Sequence, residues 1–250
     1  MSLVNAEHAD FFPTTRWSHV VRACRDGTTG QVALNELGRK YWRPIYTFVR
    51  SRGYCLHDAE DLTQAYFEGF FERRYLGHAN PTKGRFRAFL LHDLKFFLSN
   101  ERGKADAAKR GAKVFFVPMD TSEVESRLDT CDLADSNADA YFDREWALEM
   151  VRHARNELAG NFLEQGKAAL FNVLQRGLTE IPTEEIYQEW SRDLGMSSGA
   201  LKVALHRLRN SFRKALESQV RETVDTEEDV RAEMKHLRGA LSQSHRELGD

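Results

Sequence analysis

The chain has 250 residues, of which 41% are hydrophobic and 30% are charged, a composition typical of a soluble protein with a hydrophobic core. This length accommodates one large domain or two modest ones. The formal net charge is −2, which argues against a protein that coats nucleic acid through its overall charge.

Neither a membrane segment nor a metal or disulfide framework is expected. No apolar run approaches the roughly 20 residues that cross a bilayer, and the N-terminus, with His8 and Asp10, lacks the pattern of a signal peptide. A cytoplasmic protein is therefore predicted. The three cysteines, Cys24, Cys55 and Cys131, are far apart and form no C-x-x-C pair, so no disulfide framework and no zinc site are predicted.

Helical periodicity characterises the predicted N-terminal domain, residues 1–116. Apolar side chains recur at helical spacing across residues 32–52. Pro44 lies inside this stretch and is expected to kink or divide the helix, because proline lacks an N–H and crowds the preceding turn. Gly53 follows as a helix stop signal.

A second helix is predicted for residues 57–74, with Asp58, Glu60 and Asp61 near its start. Negative charge there is favourable because the helix dipole is positive at its N-terminus. These carboxylates could also be interpreted as metal ligands, but the dipole accounts for them without a metal. No metal site is predicted.

The clearest predicted helix begins at Phe86. Six apolar side chains at offsets of three and four share one face of it: Phe86, Phe89, Leu90, Leu94, Phe97 and Leu98. Its polar face and the basic run that follows supply candidate nucleic-acid contacts: Lys95, Phe96, Asn100, Arg102, Lys104, Lys109 and Arg110. Phe96 is expected either to stack on an unpaired base or to pack against another helix.

An acidic segment, residues 117–143, separates this domain from a second one, residues 144–220. Ten acidic and two basic residues occur between positions 118 and 149, with little periodicity. The segment is interpreted as a linker, either a flexible tether or a strand with its own binding role. Residues 221–250 form a predicted amphipathic helical extension, with Thr226 as the candidate N-cap of its helix, which docks onto this chain or onto a partner.

The most informative local pattern lies in residues 186–209. A short helix is expected to end at Leu194, Gly195 makes the turn, and Ser197 caps the next helix, which is the arrangement of a helix-turn-helix. Leu201, Leu205 and Leu208 are expected to face inward. The candidate DNA contacts are Ser197, Ser198, Lys202, His206, Arg207, Arg209 and Arg213. A solvated basic helix in an ordinary bundle is the alternative.

These motifs together resemble a known family. Residues 58–64 read D-A-E-D-L-T-Q and resemble the D-x-E-D-L-x-Q signature in domain 2 of extracytoplasmic-function (ECF) sigma factors of the sigma-70 class. Residues 86–100 look like the helix that opens and reads the promoter −10 element. Residues 195–209 are similar to domain 4, which reads the −35 element. The opening F-P-T-T-R-W-S, residues 12–18, also resembles a group of these factors.

The resemblance implies a role for each matched position. Four residues would meet the coiled-coil clamp of the polymerase β′ subunit: Asp58, Glu60, Asp61 and Gln64. Lys95, Phe96, Asn100 and Arg102 would approach the −10 strand. Ser198, Lys202, His206 and Arg209 would enter the −35 major groove. Two departures from the family are Phe89, where Trp is frequent, and Asp93, where an apolar residue is usual.

The sequence thus predicts an all-α protein with two helical domains joined by a linker, the second containing a helix-turn-helix. The predicted function is that of a sigma factor, with no cofactor and no catalytic residues. Its expected partners are core RNA polymerase, through the β′ and β subunits, promoter DNA and an anti-sigma factor. The alternatives are a stand-alone dimeric helix-turn-helix regulator and a helical adaptor that binds proteins through its C-terminal stripe.

Overall fold

The computed structural model describes residues 27–71, 85–105, 120–128, 137–224 and 226–247. Within these ranges the secondary structure is helical and includes no strand, so the predicted all-α class is confirmed. None of these helices is long and apolar enough to span a bilayer. The α-helices are, in chain order, α1 (Gly27–Ser51), α2 (Leu56–Phe71), α3 (Phe86–Ala105), α4 (Ser122–Leu128), α5 (Ala138–Glu164), α6 (Ala168–Leu174), α7 (Glu184–Leu194), α8 (Ser198–Arg221) and α9 (Glu227–Glu247). A short 3₁₀ helix, Gln175–Leu178, follows α6.

Helix α1 runs without interruption through Pro44, so the expected division of this helix is wrong. The side chains of Tyr41, Ile45 and Phe48 on either side of the proline are buried. Burying each of them contributes about 1.5–3 kcal/mol, which offsets the roughly 3 kcal/mol that an interior proline costs a helix. The predicted stop is confirmed, since Gly53 follows the helix with a φ of 87°.

Helix α5 forms the centre of the core. It packs against α1, α6, α8 and α9, and its Trp146 is fully buried. The buried apolar side chains from α1 to α9 form one continuous cluster. This cluster includes residues from both segments that the sequence assigns to separate domains, and the two-domain arrangement stays a prediction.

The predicted linker contains helix α4. Val124 and Leu128 of this helix are buried. The carboxylate of Glu125 accepts hydrogen bonds from Arg50 Nε at 2.7 Å and from Tyr46 Oη at 2.6 Å. Residues 122–128 are therefore neither a strand nor an undocked tether, because their apolar side chains and Glu125 are held against α1.

A buried group of charges joins α3, α5 and α9, and we call its central residues Arg87, Asp143 and Glu233 the Arg87 cluster. Arg87 is 7% exposed and Glu233 is 0% exposed. Arg87 Nε donates to Glu233 Oε1 at 2.9 Å, and its guanidinium also pairs with Asp143. Burial opposes the charge on Arg87, but its hydrogen bond to Glu233 and the two carboxylate charges outweigh burial and raise its pKa. Burial of a charge is tolerated when it is paired in this way.

Helix α9 docks onto its own chain, against α5 and α8. Its predicted cap is confirmed, since Asp229 N donates to Thr226 Oγ1 at 3.1 Å. Val230 and Leu237 of the predicted apolar stripe are buried in the core. Of the two predicted docking modes, the structure adopts the intramolecular one, and these two side chains are not available to a partner.

Candidate nucleic-acid interface

Helices α7 and α8 meet at a tight corner. Gly195 ends α7 in the left-handed conformation, with φ 63° and ψ 27°. Glycine suits this position because it lacks the Cβ that disfavours positive φ in other residues. Ser197 then caps α8, and its side chain accepts a hydrogen bond from Ala200 N at 3.3 Å. The predicted turn and cap are both confirmed.

The inner face of α8 is tightly packed. Leu201, Leu205 and Leu208 are all buried, as predicted. Gly177, in the 3₁₀ helix, approaches this face so closely that a Cβ added there would lie 2.8 Å from Leu205 Cδ1 and 3.3 Å from the ring of Trp190. The 3₁₀ helix and α7 therefore fix the orientation of α8 relative to the core.

The outer face of α8 is cationic and exposed. Lys202, His206, Arg207 and Arg213 are all exposed, and Ser198 is half-buried. No Asp or Glu occurs between positions 197 and 216, whereas five Lys or Arg do. Such a face can contact phosphate oxygens and offer hydrogen-bond donors to base edges.

Lys202 is engaged in an intramolecular contact that binding would have to break. Its Nζ lies 2.8 Å from Glu184 Oε2 and 5.2 Å from the centre of the Tyr187 ring. The hydrogen bond to Glu184 raises the pKa of Lys202. Since the side chains of Lys202 and Glu184 are 50% and 56% exposed, their pair is weak and can give way to an anionic ligand.

Arg209 makes intramolecular contacts that the sequence does not predict. Its Nε donates to the Gly177 carbonyl at 2.9 Å and its Nη2 to the Glu180 carbonyl at 3.0 Å. Carbonyl groups at the end of a helical segment lack intrahelical partners, and an arginine near them satisfies them. Arg209 therefore anchors the 3₁₀ helix to α8, whereas the sequence places it among the residues that read bases.

Val203 extends the outer face of α8 and is not among the predicted contacts. It is 51% exposed and lies beside Lys202 in sequence. Apolar side chains in the major groove contact the methyl group of thymine. The sequence could have identified Val203, because helical spacing places it outside the buried stripe formed by Leu201, Leu205 and Leu208.

Helix α3 carries a second exposed surface. The predicted residues Lys95, Phe96, Asn100 and Arg102 are all exposed. Phe96 is 59% exposed, so no described helix covers most of its ring. The side chain of Lys104, and residues Lys109 and Arg110 as a whole, lie outside the described residues.

The start of α2 forms a third, acidic surface. Asp58 and Asp61 are exposed, while Glu60 and Gln64 are half-buried. Glu60 accepts a hydrogen bond from Thr121 Oγ1 at 3.3 Å, beside the N-terminus of α4. The exposed carboxylates of Asp58 and Asp61 remain accessible to another protein. The opening residues 12–18 lie outside the described residues.

Asp93, the polar residue at a position that is usually apolar in the resembled family, has a structural partner in α2. Tyr66 is fully buried, and its hydroxyl donates to Asp93 Oδ2 at 3.0 Å. A buried hydroxyl without a partner would be costly. The carboxylate of Asp93 thus links α3 to α2.

Three surfaces therefore stand out in the described part of the chain: the cationic face of α8, the aromatic and cationic face of α3, and the acidic start of α2. Within that part, no group of three or more His, Cys, Asp or Glu side chains is arranged to hold a metal ion. Comparisons of this chain with protein-family models, curated proteins and solved structures gave no match.

Proposed function

We propose that this protein is a sigma factor that binds core RNA polymerase and directs promoter recognition and DNA melting. The observation that carries the proposal is the corner between α7 and α8, where Gly195 and Ser197 position an exposed, acid-free cationic helix. In this role the chain requires no cofactor and no catalytic residue of its own, because the polymerase performs the chemistry.

In the proposal, α7 and α8 act as a helix-turn-helix, with α8 in the major groove of the −35 element. Lys202 and His206 would reach base edges, and Val203 would contact a thymine methyl group. Arg207 and Arg213 would contact the phosphate backbone. Support comes from the exposure of all five side chains and from the packing that orients α8.

The face of α3 would contact the −10 strand as the duplex opens. A base released from the duplex can stack on an exposed aromatic ring, and Phe96 offers one. Lys95 and Arg102 lie at i−1 and i+6 from this ring and provide positive charge for the backbone of the same strand. An exposed phenylalanine between cations has no evident role in packing, and it is consistent with this use.

The acidic start of α2 would bind the polymerase β′ subunit through Asp58 and Asp61. We also propose the two-domain arrangement of residues 1–116 and 144–220, joined by residues 117–143. The contacts of α5 with α1 would then form an interface between the two domains. The contact of Glu233 with Arg87 would join the C-terminal extension to the first domain.

Reconstitution with core RNA polymerase tests the proposal. The full chain should be retained by immobilised core polymerase and should start transcription at defined sites in a library of genomic fragments. Lys202→Glu should abolish initiation at promoters that require the −35 contact and should leave binding to polymerase unchanged. Lys235→Glu, which reverses the charge of an exposed lysine on α9, is the matched control and should initiate normally.

The same experiment separates the alternatives. Failure of the chain to bind core polymerase would contradict the proposal. Tight binding to a two-fold operator without polymerase, with a footprint symmetric about a dyad, would instead indicate a stand-alone dimeric regulator. A chain that binds neither core polymerase nor DNA, and whose binding to another protein survives Lys202→Glu, would indicate an adaptor.

A further inference from the structure

A cationic cleft lies between the C-terminal end of α1 and the outer face of α3. Its cavity has a volume of about 220 Å³ and is lined by six residues: Phe48, Arg52, Lys95, Leu98, Ser99 and Arg102. Phe48 and Leu98 are buried core residues that form its apolar floor. The other four line it with three positive charges and a hydroxyl group. Arg52 and Ser99 are not among the residues that the sequence pattern singles out.

None of the six lining residues carries a carboxylate, although the chain as a whole has a net charge of −2. Three cations around one concavity repel one another, and low-dielectric walls strengthen that repulsion. An anion in the cavity is attracted by all three cations and offsets their mutual repulsion. The lining therefore favours an anionic occupant over a neutral or cationic one.

The three cations differ in how firmly they are held. Arg102 is oriented by Tyr54, whose hydroxyl accepts from Arg102 Nε at 3.0 Å and whose ring centre lies 5.5 Å from the guanidinium carbon. This contact leaves the terminal N–H groups of Arg102 for a ligand. No other described side chain forms an ion pair or hydrogen bond with the exposed guanidinium of Arg52.

Lys95 is held by an exposed partner. Its Nζ lies 2.6 Å from Asp139 Oδ2, in the first turn of α5, and the side chains of Lys95 and Asp139 are 46% and 50% exposed. Such an exposed pair is weak and readily exchanged for a stronger anion. Asp139 is thus a competing anion beside the cleft.

We infer that this cleft binds a phosphate group, held by Arg52, Lys95 and Arg102. Arginine and lysine are the side chains that bind phosphate oxygens, and Ser99 can add a hydroxyl hydrogen bond. Lys95, Ser99 and Arg102 lie at i, i+4 and i+7 on α3, so they share one face of the helix. The exposed ring of Phe96 lies next to Lys95 in sequence.

Building on the proposed function, the natural source of this phosphate is the backbone of a single DNA strand whose base stacks on Phe96. A free phosphate-containing small molecule has the same chemistry. The ligands that the isolated protein binds distinguish the two sources, because only a DNA strand also contacts the aromatic ring of Phe96.

The test uses the purified full chain, a fluorescently labelled single-stranded oligothymidylate and inorganic phosphate as separate probes. Arg52→Gln should weaken strand binding by roughly tenfold, the effect of losing one charge-assisted contact. It should also reduce the slope of log affinity against log salt by about 0.7, the value for one phosphate contact on a single strand. Arg39→Gln removes an exposed charge on α1, roughly 20 Å from the end of that helix beside Arg52, and should change neither quantity.

A second variant moves binding in the opposite direction. Asp139→Asn releases Lys95 and should therefore tighten binding of the strand. Glu228→Gln also removes one negative charge, but from α9, and should not tighten binding. Both variants alter exposed or half-exposed side chains, and unchanged thermal unfolding would confirm that they fold.

The outcomes separate this inference from the proposed function. Loss of strand binding in Arg52→Gln without detectable inorganic phosphate binding supports a strand phosphate, and Arg52-dependent binding of inorganic phosphate supports a free phosphate ligand. Equal behaviour of Arg52→Gln and Arg39→Gln with both probes would overturn the inference. Since Arg52 lies outside the proposed polymerase and −35 surfaces, retention on core polymerase and dependence on Lys202 would survive that result and would still support the sigma-factor proposal.

Discussion

Replacing Arg87 by methionine removes the positive charge at the centre of the Arg87 cluster. Methionine fills a similar volume, so the main loss is electrostatic. Among the described residues, Glu233 would keep Arg85 as its partner, with Arg85 Nη1 3.1 Å from Glu233 Oε2. Asp143 would keep His236, whose Nε2 lies 2.7 Å from Asp143 Oδ2. Removing one partner of a buried ion pair typically costs 3–5 kcal/mol.

The remaining pairs reduce this cost, and the lost contact with an aromatic ring increases it. The Arg87 guanidinium carbon lies 5.2 Å from the centre of the Trp146 ring, a contact worth about 2 kcal/mol when desolvated. We therefore expect Arg87→Met to lower the free energy of unfolding by about 3–4 kcal/mol. That is a large share of the roughly 5–15 kcal/mol that stabilises a typical protein.

Urea unfolding followed by circular dichroism measures this change. The double variant Arg87→Met/Glu233→Met replaces the pair with apolar side chains and should recover most of the loss, because a buried pair is often no more stabilising than an apolar pair of similar volume. The reasoning would be refuted if Arg87→Met cost less than about 1 kcal/mol, or if the two substitutions were simply additive in the double variant.

Three further predictions concern the corner of α8 and the docking of α4. Gly177→Ala should lower the free energy of unfolding by about 1–3 kcal/mol, because the added methyl group overpacks against Leu205; a stability equal to the parent in urea unfolding would contradict the packing described for α8. Arg209→Gln should lower the unfolding midpoint while weakening −35 duplex binding less than Lys202→Gln does, since its donors are engaged by backbone carbonyls; thermal unfolding and fluorescence anisotropy measure the two effects. The hydrogen bond from Arg50 lowers the pKa of Glu125 from its ordinary value of 4.5. The stability that this carboxylate contributes should thus be present above that value and be lost as the pH falls through the lowered pKa, and Glu125→Gln should flatten this part of the acid-unfolding profile.

The helices and the corner between α7 and α8 could be predicted from the sequence because their causes are local. Apolar side chains at offsets of three and four define a helical face without reference to the rest of the chain. Gly195 and Ser197 act on backbone groups within three residues of themselves. The spacing also places Phe96 off the apolar stripe of its own helix, where the structure leaves it exposed.

Only the tertiary structure decides which side chains meet across long stretches of sequence. Arg209 donates to a carbonyl 32 residues away, a contact that its helical spacing does not predict. Arg87 and Glu233 are 146 residues apart, so nothing in either segment predicts the burial of their charges. Arg52 joins Lys95 and Arg102 only because the end of α1 and the outer face of α3 line the same cavity. Local spacing determines which face of a helix a residue occupies, but its partner depends on the packing of elements that no short stretch of sequence specifies.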